Sequence, residues 1–199
     1  MRVIAGKYGS RRLQSLRGTA LRPSSDRLRE TLFNILGTAI EGTVLVDLFA
    51  GSGAVGIEAL SRGARGAVFV ENHAAGAALI SRNLASLGIP TAAQIASRKT
   101  FAGSAEILRM DAMDALERLA EGGARVEFIF ADPPYANRRA YQDILVFLGE
   151  SELLARSGRF IAEHRRNTGL PIIAGHLERT RVVEQGDTAL SFYKPIFAA

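Results

Sequence analysis

Cysteine is absent from this chain of 199 residues, which excludes disulfide bonds and metal sites built from thiolates. The three histidines, His73, His164 and His176, lack the paired spacing of metal ligands, and we expect no bound metal. No apolar run approaches the roughly 18 residues of a membrane-spanning helix, and the first six residues lack the apolar stretch of a signal peptide. These absences favour a cytoplasmic protein without a membrane partner.

Acidic residues are scarce in the first thirty positions, where eight lysines and arginines accompany only Asp26 and Glu30. This segment carries a net charge of +6, whereas the whole chain carries +5, so the remainder is close to neutral. One basic end on a near-neutral body indicates contact with a polyanion, although a solvated arm that only keeps the protein soluble would have the same composition. The cations that we expect to grip nucleic-acid phosphates are Arg2, Lys7, Arg11, Arg12 and Arg22.

The first forty residues are predicted to be a small extension, and residues 41–199 the main domain. Residues 2–16 have the pattern of a hairpin with a turn at residues 6–9. Serine and aspartate then mark a helix start near Asp26, and apolar residues recur at helical spacing up to Gly37. Lys7, Arg11 and Arg12 lie far in sequence from the motifs below, so we expect them to affect nucleic-acid binding alone. This expectation does not extend to Arg22, Arg27 and Arg29, whose helix precedes the first core strand.

Short apolar runs alternate with helical patterns from residue 43 onwards. This alternation predicts βαβ units and a mostly parallel sheet covered by helices on both faces. The chain ends differently, because residues 181–193 read as a hairpin around the two-residue turn Gly186-Asp187, which adds an antiparallel strand. Residues 90–104 show no clear period and are interpreted as a loop. The predicted strands contain residues 44–46, 67–70, 105–108, 128–130 and 160–162, and the predicted helices lie near 53–62, 73–87, 112–121 and 139–149.

A glycine-rich segment follows the first predicted strand, at residues 47–56. Without Cβ atoms, Gly51 and Gly53 let the backbone approach a ligand, and the next helix offers free N–H groups at its N-terminus. The spacing Gly51-x-Gly53-x-x-Gly56 matches the dinucleotide fingerprint. The spacing does not distinguish NAD from S-adenosylmethionine, and a tight strand–helix turn without a ligand remains an alternative.

Two further acids follow predicted strands. Glu71 ends the second strand, where a carboxylate can accept hydrogen bonds from both ribose hydroxyls of an adenosine cofactor. Asp111 follows the third strand and can accept a hydrogen bond from an adenine amino group, cap the next helix, or do both.

The most specific motif is Asp132-Pro133-Pro134-Tyr135, directly after the fourth predicted strand. The Asp132 carboxylate and a neighbouring carbonyl can hold both hydrogens of an aromatic amino group and stabilise the positive charge that grows on its nitrogen during attack. The two prolines hold the chain extended, and Tyr135 offers a face for stacking on an extruded base. The alternative is a proline-rich turn without chemistry.

These motifs together resemble the bacterial 16S ribosomal RNA guanine-N2 methyltransferases of the RsmD type. The resemblance covers nearly the whole chain and is most family-specific over residues 22–34; it also includes residues 1–7, 47–53, 71–72, 83–84 and 132–135. Asp-Pro-Pro-Tyr alone is shared by many amino-methyltransferases, including those that act on DNA adenine or cytosine. The chain departs from the resemblance in residues 90–104, where such proteins are usually shorter.

The resemblance implies a Rossmann-like, seven-stranded methyltransferase sheet with the last strand antiparallel, a helix before the first core strand that closes over the cofactor, and S-adenosylmethionine as the methyl donor. It implies 16S ribosomal RNA or an assembly intermediate of the small ribosomal subunit as partner, and we expect a monomer. Residues 132–135 are expected to receive the base. The expected cofactor contacts are Asp47, Phe49, Ala50, Gly51, Ser52, Gly53, Glu71, Asn72, Asp111 and Ala112.

Three alternatives remain open at this stage. The first is an amino-methyltransferase that acts on another RNA or on adenine or cytosine in DNA. A nicotinamide-dependent oxidoreductase would explain the glycine spacing but leave residues 132–135 and the basic extension without a purpose. A non-catalytic RNA-binding protein would explain the charge but leave the glycine loop and Asp132 unexplained.

Overall fold

The short apolar runs of the sequence become the central strands of an eight-stranded sheet in a computed structural model, which describes residues 1–15, 23–91, 105–134 and 137–196. The first five strands are β1 (Val44–Asp47), β2 (Gly66–Val70), β3 (Ala105–Leu108), β4 (Val126–Ala131) and β5 (Leu154–Arg165). The last three are β6 (Ile173–Ala174), β7 (Leu177–Gln185) and β8 (Thr188–Pro195).

Five α-helices connect and cover these strands, as the helical spacing of apolar residues predicts. They are α1 (Pro23–Leu36), α2 (Ala54–Ser61), α3 (Ala74–Ser86), α4 (Ala112–Glu121) and α5 (Arg138–Glu150), with a 3₁₀ helix at Gly37–Ile40 after α1. Within the described ranges, no helix is both long enough and apolar enough to cross a membrane.

The strands follow the order β3-β2-β1-β4-β5-β8-β7-β6. The pairs from β3 to β5 are parallel, and β8 is inserted antiparallel between β5 and β7. The predicted fold class is therefore confirmed, including the hairpin around Gly186-Asp187. The eighth strand, which the sequence did not indicate, is a two-residue segment paired with β7 at the edge of the sheet.

Apolar side chains alternate between the two faces of the sheet and build a core on each. Val46 and Val68 pack with α4 and α5 on one face, whereas Leu45 and Phe130 pack under α1 on the other. Phe69 extends this second face under α2 and α3. The helix that precedes β1 is therefore part of the layer that covers one face of the body.

The predicted hairpin at residues 2–16 is present where the chain is described, with the antiparallel bridge Arg2↔Arg12 and a backbone hydrogen bond from the N–H of Val3 to the carbonyl of Arg11 at 2.9 Å. The backbone N–H groups of Ile4 and Ala5, near its turn, donate to the buried carboxylate of Glu58 in α2, at 2.7 and 3.1 Å. The N-terminal segment, residues 1–15, is thus pinned to α2 and shares a core with α2 and α3.

Candidate active site

Three carboxylates lie at the carboxyl ends of neighbouring strands, on the face of the sheet that α1 covers. Asp47 ends β1, Asp132 follows β4, and Glu163 lies near the end of β5. The pairings Asp47↔Phe130 and Phe130↔Ile161 align these strands. Asp132 lies two residues after Phe130, and Glu163 lies two residues after Ile161, so the two acids are level with each other. Because side chains alternate between faces, both point to the same face as Phe130 and Ile161.

Asp47 is the deepest of the three, with 1% of its surface exposed. Burial raises its pKa to about 7; the N–H groups of Gly56 and Phe49 oppose that rise, and the charges of Asp132 and Glu71 add to it. Among the described residues, its Oδ1 atom has no hydrogen-bond partner. A buried acceptor of this kind, beside a glycine loop, is suited to a ligand that brings a donor or a positive charge.

The glycine loop between β1 and α2 depends on left-handed backbone at two positions. Gly51 has φ of 53° and Gly53 has φ of 80°, and Gly53 is the N-cap of α2. Gly56 has a different role, because a Cβ there would lie 2.4 Å from the ring of Phe69 and prevent α2 from packing on β2. The backbone carbonyl of Ser52 accepts a hydrogen bond from Asn83 of α3. Of the other expected contacts in this loop, Phe49 is partly buried and Ala50 is buried.

Glu71 follows β2 and is joined to the glycine loop by hydrogen bonds. Its Oε2 accepts the N–H of Gly51 at 3.0 Å, and its Oε1 accepts the N–H of His73 at 2.8 Å. A Cβ at Gly76 of α3 would lie 2.6 Å from the Glu71 carboxyl carbon, so the missing side chain makes room for this carboxylate. The structure thus brings Asp47, the glycine loop and Glu71 together, as the sequence predicted.

The remaining expected cofactor contacts border the same edge of the sheet. Asp111 caps α4, because its side chain accepts the N–H of Met113 at 3.1 Å. Ala112 is buried in the core. Asn72 is exposed.

The motif that begins at Asp132 directly follows β4 and is not part of a helix or strand where it is described. Asp132 is half-buried, Pro133 is buried and Pro134 is exposed. The carbonyl of Pro134 accepts the N–H of Asn137 at 2.7 Å, and Asn137 caps α5 through the N–H of Ala140. The motif is therefore anchored at both ends, by β4 and by the start of α5. The predicted stacking residue Tyr135 lies outside the described residues.

Glu163 was not predicted as a site residue, although it stands beside Asp132. Burial raises the pKa of Glu163 to about 8, the charges of Asp132 and Asp47 add to this rise, and Arg29 of α1 opposes it. The signal that could have identified it is the one that identified Asp47, Glu71 and Asp132, namely an acid directly after a buried apolar run. The run at residues 160–162 ends at Glu163.

The N-terminal segment lies close to the glycine loop, contrary to the expectation drawn from its distance in sequence. Asn83 accepts a hydrogen bond from the N–H of Gln14 at 2.8 Å and donates to the Ser52 carbonyl at 2.9 Å. The hydroxyl of Ser52 also lies 3.2 Å from the sulfur of Met1. Changes in this segment can therefore reach the glycine loop through one side chain.

The basic residues that we expect to bind RNA are exposed where they are described. Arg2, Lys7, Arg11 and Arg12 all lie at the surface of the N-terminal segment. Arg11 donates to the carbonyl of Ser86 at the end of α3 at 3.1 Å, so it also holds the segment in place. Arg22 lies outside the described residues. No cluster of histidine and carboxylate side chains suited to a metal ion occurs within the described ranges.

The chain was compared with protein families and with individual proteins. Residues 1–194 match the model of a family described as conserved hypothetical protein 95. Ribosomal RNA small subunit methyltransferase D of Escherichia coli strain K12 is 33% identical over 98% of this chain and 89% of its own length. The protein YlbH of Bacillus subtilis strain 168 is 36% identical over 98% of each chain.

Solved structures share the fold. The Escherichia coli protein yhhF is 32% identical, and the alignment covers 98% of this chain and 97% of that one with a TM-score of 0.79. The match spans both the N-terminal extension and the body, so the two chains share the whole architecture and not the sheet alone.

Proposed function

The chain belongs to the family described as conserved hypothetical protein 95, as the sequence resemblance predicted, and from that membership we propose that it is a ribosomal RNA methyltransferase. The proposed reaction transfers a methyl group from S-adenosylmethionine to the exocyclic N2 amino group of a guanine in small-subunit ribosomal RNA. The observation that carries the proposal is the alignment of Asp132, at the start of an Asp-Pro-Pro segment, with a glycine loop and Glu71 at one edge of the sheet.

The residues of the cofactor side fit S-adenosylmethionine. Gly51 and Gly53 keep the loop free of side chains, and the buried Oδ1 of Asp47 offers an acceptor. Glu71 uses one lone pair of each oxygen on backbone N–H groups, which leaves two for ribose hydroxyls. When bound, the cofactor supplies an activated methyl group on a positively charged sulfur. The expected contacts at residues 49–53, 72, 111 and 112 complete this side.

The residues of the base side have a different task. The exocyclic nitrogen of a base is a poor nucleophile, because its lone pair is delocalised into the ring. In this proposal Asp132 and a neighbouring carbonyl accept its two hydrogens, favour a pyramidal nitrogen, and stabilise the positive charge that develops during attack. Pro133 and Pro134 hold these acceptors in extended chain. Tyr135 is expected to stack on the base after its extrusion.

The basic N-terminal unit, residues 1–40, is proposed to grip RNA beside the site. Guanine N2 is reached only when its base is unpaired or extruded, so the enzyme must hold the surrounding phosphates. Arg2, Lys7, Arg11 and Arg12 are exposed for this purpose. Arg22 is included in the proposed RNA surface from its place in the sequence alone.

Mass spectrometry of ribosomal RNA nucleosides, from cells with and without the gene, tests the proposal. We expect loss of one N2-methylguanosine per small subunit, and its return when the purified protein and labelled S-adenosylmethionine are added to subunits or RNA from the deletion strain. Loss of a methylated adenine or cytosine would support a methyltransferase activity but would show that the target base is not guanine. Unchanged nucleosides, together with heat of binding for NADH but not for S-adenosylmethionine, would favour an oxidoreductase.

A further inference from the structure

Of the three carboxylates Asp47, Asp132 and Glu163, only Glu163 has no role in the proposed reaction. It stands level with Asp132 on the neighbouring strand, because Ala131 of β4 pairs with Ala162 of β5 immediately before them. Neighbouring strands lie about 4.8 Å apart, so side chains that leave adjacent strands at the same level and on the same face can reach one planar ligand. Glu163 therefore belongs to the base side of the site by position.

The backbone of Glu163 is fixed from several directions. It pairs with Leu190 of β8, and its carbonyl accepts the hydroxyl hydrogen of Tyr141 at 2.6 Å. The next residue, His164, is buried on the opposite face and contacts the hydroxyl of Ser191 at 2.8 Å. A residue held within a paired strand is positioned more precisely for recognition than a residue on a loop.

The charges around Glu163 favour a partner that donates hydrogen bonds. The negative charges of Asp132 on β4 and Asp47 on β1 raise the pKa of Glu163, whereas the positive charge of Arg29 on α1 lowers it. Leu190, its partner on β8, is apolar. An ionised Glu163 beside an ionised Asp132 is costly in the empty site, and N–H groups placed between them remove that cost.

The three candidate bases differ at the atom next to the amino group. In guanine the ring nitrogen N1, adjacent to the N2 amino group, carries a hydrogen. In adenine and cytosine the ring nitrogen adjacent to the amino group carries a lone pair. Two carboxylates that stand side by side fit the first arrangement, because both accept hydrogen bonds, and they repel the second.

We propose that Glu163 accepts the N1–H of the target guanine while Asp132 accepts the hydrogens of its amino group, so that Glu163 selects guanine over the other bases. The inference rests on the proposed function and assigns the recognition of the base to a residue of β5. Each bidentate contact of this kind discriminates roughly tenfold to a hundredfold between bases.

A change of the target base tests this assignment. Once the acceptor position is mapped, small-subunit RNA is ligated so that this position carries either guanine or 2-aminopurine. The RNA is used both naked and reconstituted with ribosomal proteins. 2-Aminopurine keeps the amino group but lacks the O6 oxygen and has a lone pair at N1, and the Glu163 variants separate the N1 contact from the loss of O6. We expect the protein to methylate guanine faster by roughly tenfold to a hundredfold. In Glu163→Gln this ratio should shrink about tenfold, because an amide can donate to the lone pair as well as accept.

The ratio of the two rates separates recognition from a structural role. A variant that merely disturbs the fold lowers both rates together and leaves the ratio unchanged, which would overturn the inference. Glu163→Ala is the second variant, and its ratio should also fall. Glu152→Gln is the matched control, since Glu152 lies in an exposed ion pair with Arg125 at the opposite end of β5. Its rates should equal those of the unchanged protein.

Other outcomes are equally informative. A faster reaction with 2-aminopurine than with guanine would mean that Glu163 donates a proton to the base, and it would overturn the inference. A weaker affinity of Glu163→Gln for S-adenosylmethionine would move Glu163 to the cofactor side and also overturn it. If mapping finds no methylated guanine at all, the proposed function itself fails, and the two failures are therefore distinguishable.

Discussion

The two halves of the candidate site treat their carboxylates in opposite ways. On the cofactor side, both oxygens of Glu71 accept backbone N–H groups, from Gly51 and His73, before any ligand binds. On the base side, Glu163 is half-buried beside Asp132 and Asp47, and desolvation and their charges raise its pKa to about 8. On the proposed cofactor side the carboxylate is already hydrogen-bonded to the backbone. On the proposed base side the carboxylates repel one another, and a ligand that donates hydrogen bonds would reduce this repulsion.

This difference has a physical meaning for binding. A preformed hydrogen-bonded loop lowers the ordering cost of binding, so its affinity depends on geometry. A set of crowded acceptors binds well only to a ligand that brings hydrogens, so its selectivity depends on charge. The predictions below test whether the two sides are as separate as this comparison suggests.

The largest expected effect is loss of methyl transfer in Asp132→Ala, with cofactor binding nearly intact. Removing one positioned acceptor at a centre where charge develops costs on the order of 10²–10³ in rate. Single-turnover transfer to RNA and calorimetry with S-adenosylmethionine measure the two quantities separately. Near-normal turnover would show that Asp132 is not a catalytic residue. A large loss of cofactor affinity would show that Asp132 also contributes to cofactor binding.

Glu71→Ala should give the opposite profile. Losing the carboxylate removes the expected ribose hydrogen bonds and leaves the N–H of Gly51 without its acceptor, so cofactor affinity should fall by about 1.5–3 kcal/mol. Transfer at saturating cofactor should change much less. Gly76→Ala provides a matched test, because the added Cβ displaces the Glu71 carboxylate without removing its charge. An unchanged dissociation constant in both variants would make Glu71 an ordinary surface residue.

The N-terminal segment sharpens the comparison, because it carries the proposed RNA contacts yet lies against the cofactor side. Replacing Lys7, Arg11 and Arg12 together should weaken RNA binding. Each lost phosphate contact should reduce the slope of log affinity against log salt by about 0.7–0.9. A salt titration of RNA binding measures this slope.

Cofactor affinity is the control for that triple variant. Arg11 holds the segment to α3, and Asn83 joins the segment to the glycine loop, so a moderate loss of cofactor affinity would come through Arg11. The double change of Lys7 and Arg12 should then leave cofactor affinity unchanged. Normal RNA binding at every salt concentration would show that the segment has a packing or solubilising role only.

The smallest expected effect concerns stability and pH. A carboxyl group whose pKa rises on folding binds more protons in the native protein, so its contribution to the free energy of unfolding is present below its unfolded pKa and is lost as the pH rises toward its folded pKa. For Glu163 this window runs from 4.5 to about 8. Glu163→Gln should therefore gain stability relative to the unchanged protein as the pH rises from 5 to 8.5.

Denaturant unfolding of both proteins across this pH range measures the gain. Asp47 contributes a decline of the same sign in both proteins, since its pKa rises from 3.8 to about 7. A difference that stays constant with pH would mean that Glu163 is not crowded by Asp132 and Asp47.

Much of the fold could be predicted because its signals are local. The apolar runs that became β1, β2, β4 and β5 and the glycine loop depend on residues close together in sequence. The features that were not predicted depend on distant partners. The hairpin of residues 2–16 is held on α2 by Glu58, more than fifty residues away, which accepts the N–H groups of Ile4 and Ala5. Glu163 follows a local apolar run as Asp132 does, but its place beside Asp132 comes from the pairing of β4 with β5.

The insertion of β8 between β5 and β7 links the site to the order in which the chain is synthesised. β5 carries Glu163, yet its outer edge is closed only by residues 188–195. Until those residues leave the ribosome, β5 exposes a row of unpaired backbone groups, and β7 has no strand through which to join the sheet. A nascent chain with all its glycine-loop residues in place therefore still lacks the strand that pairs with Glu163, and contacts of such long range slow folding. Ribosomes that stall before residue 188 would leave an inactive product with an open sheet edge, the kind of species that chaperones and proteases remove.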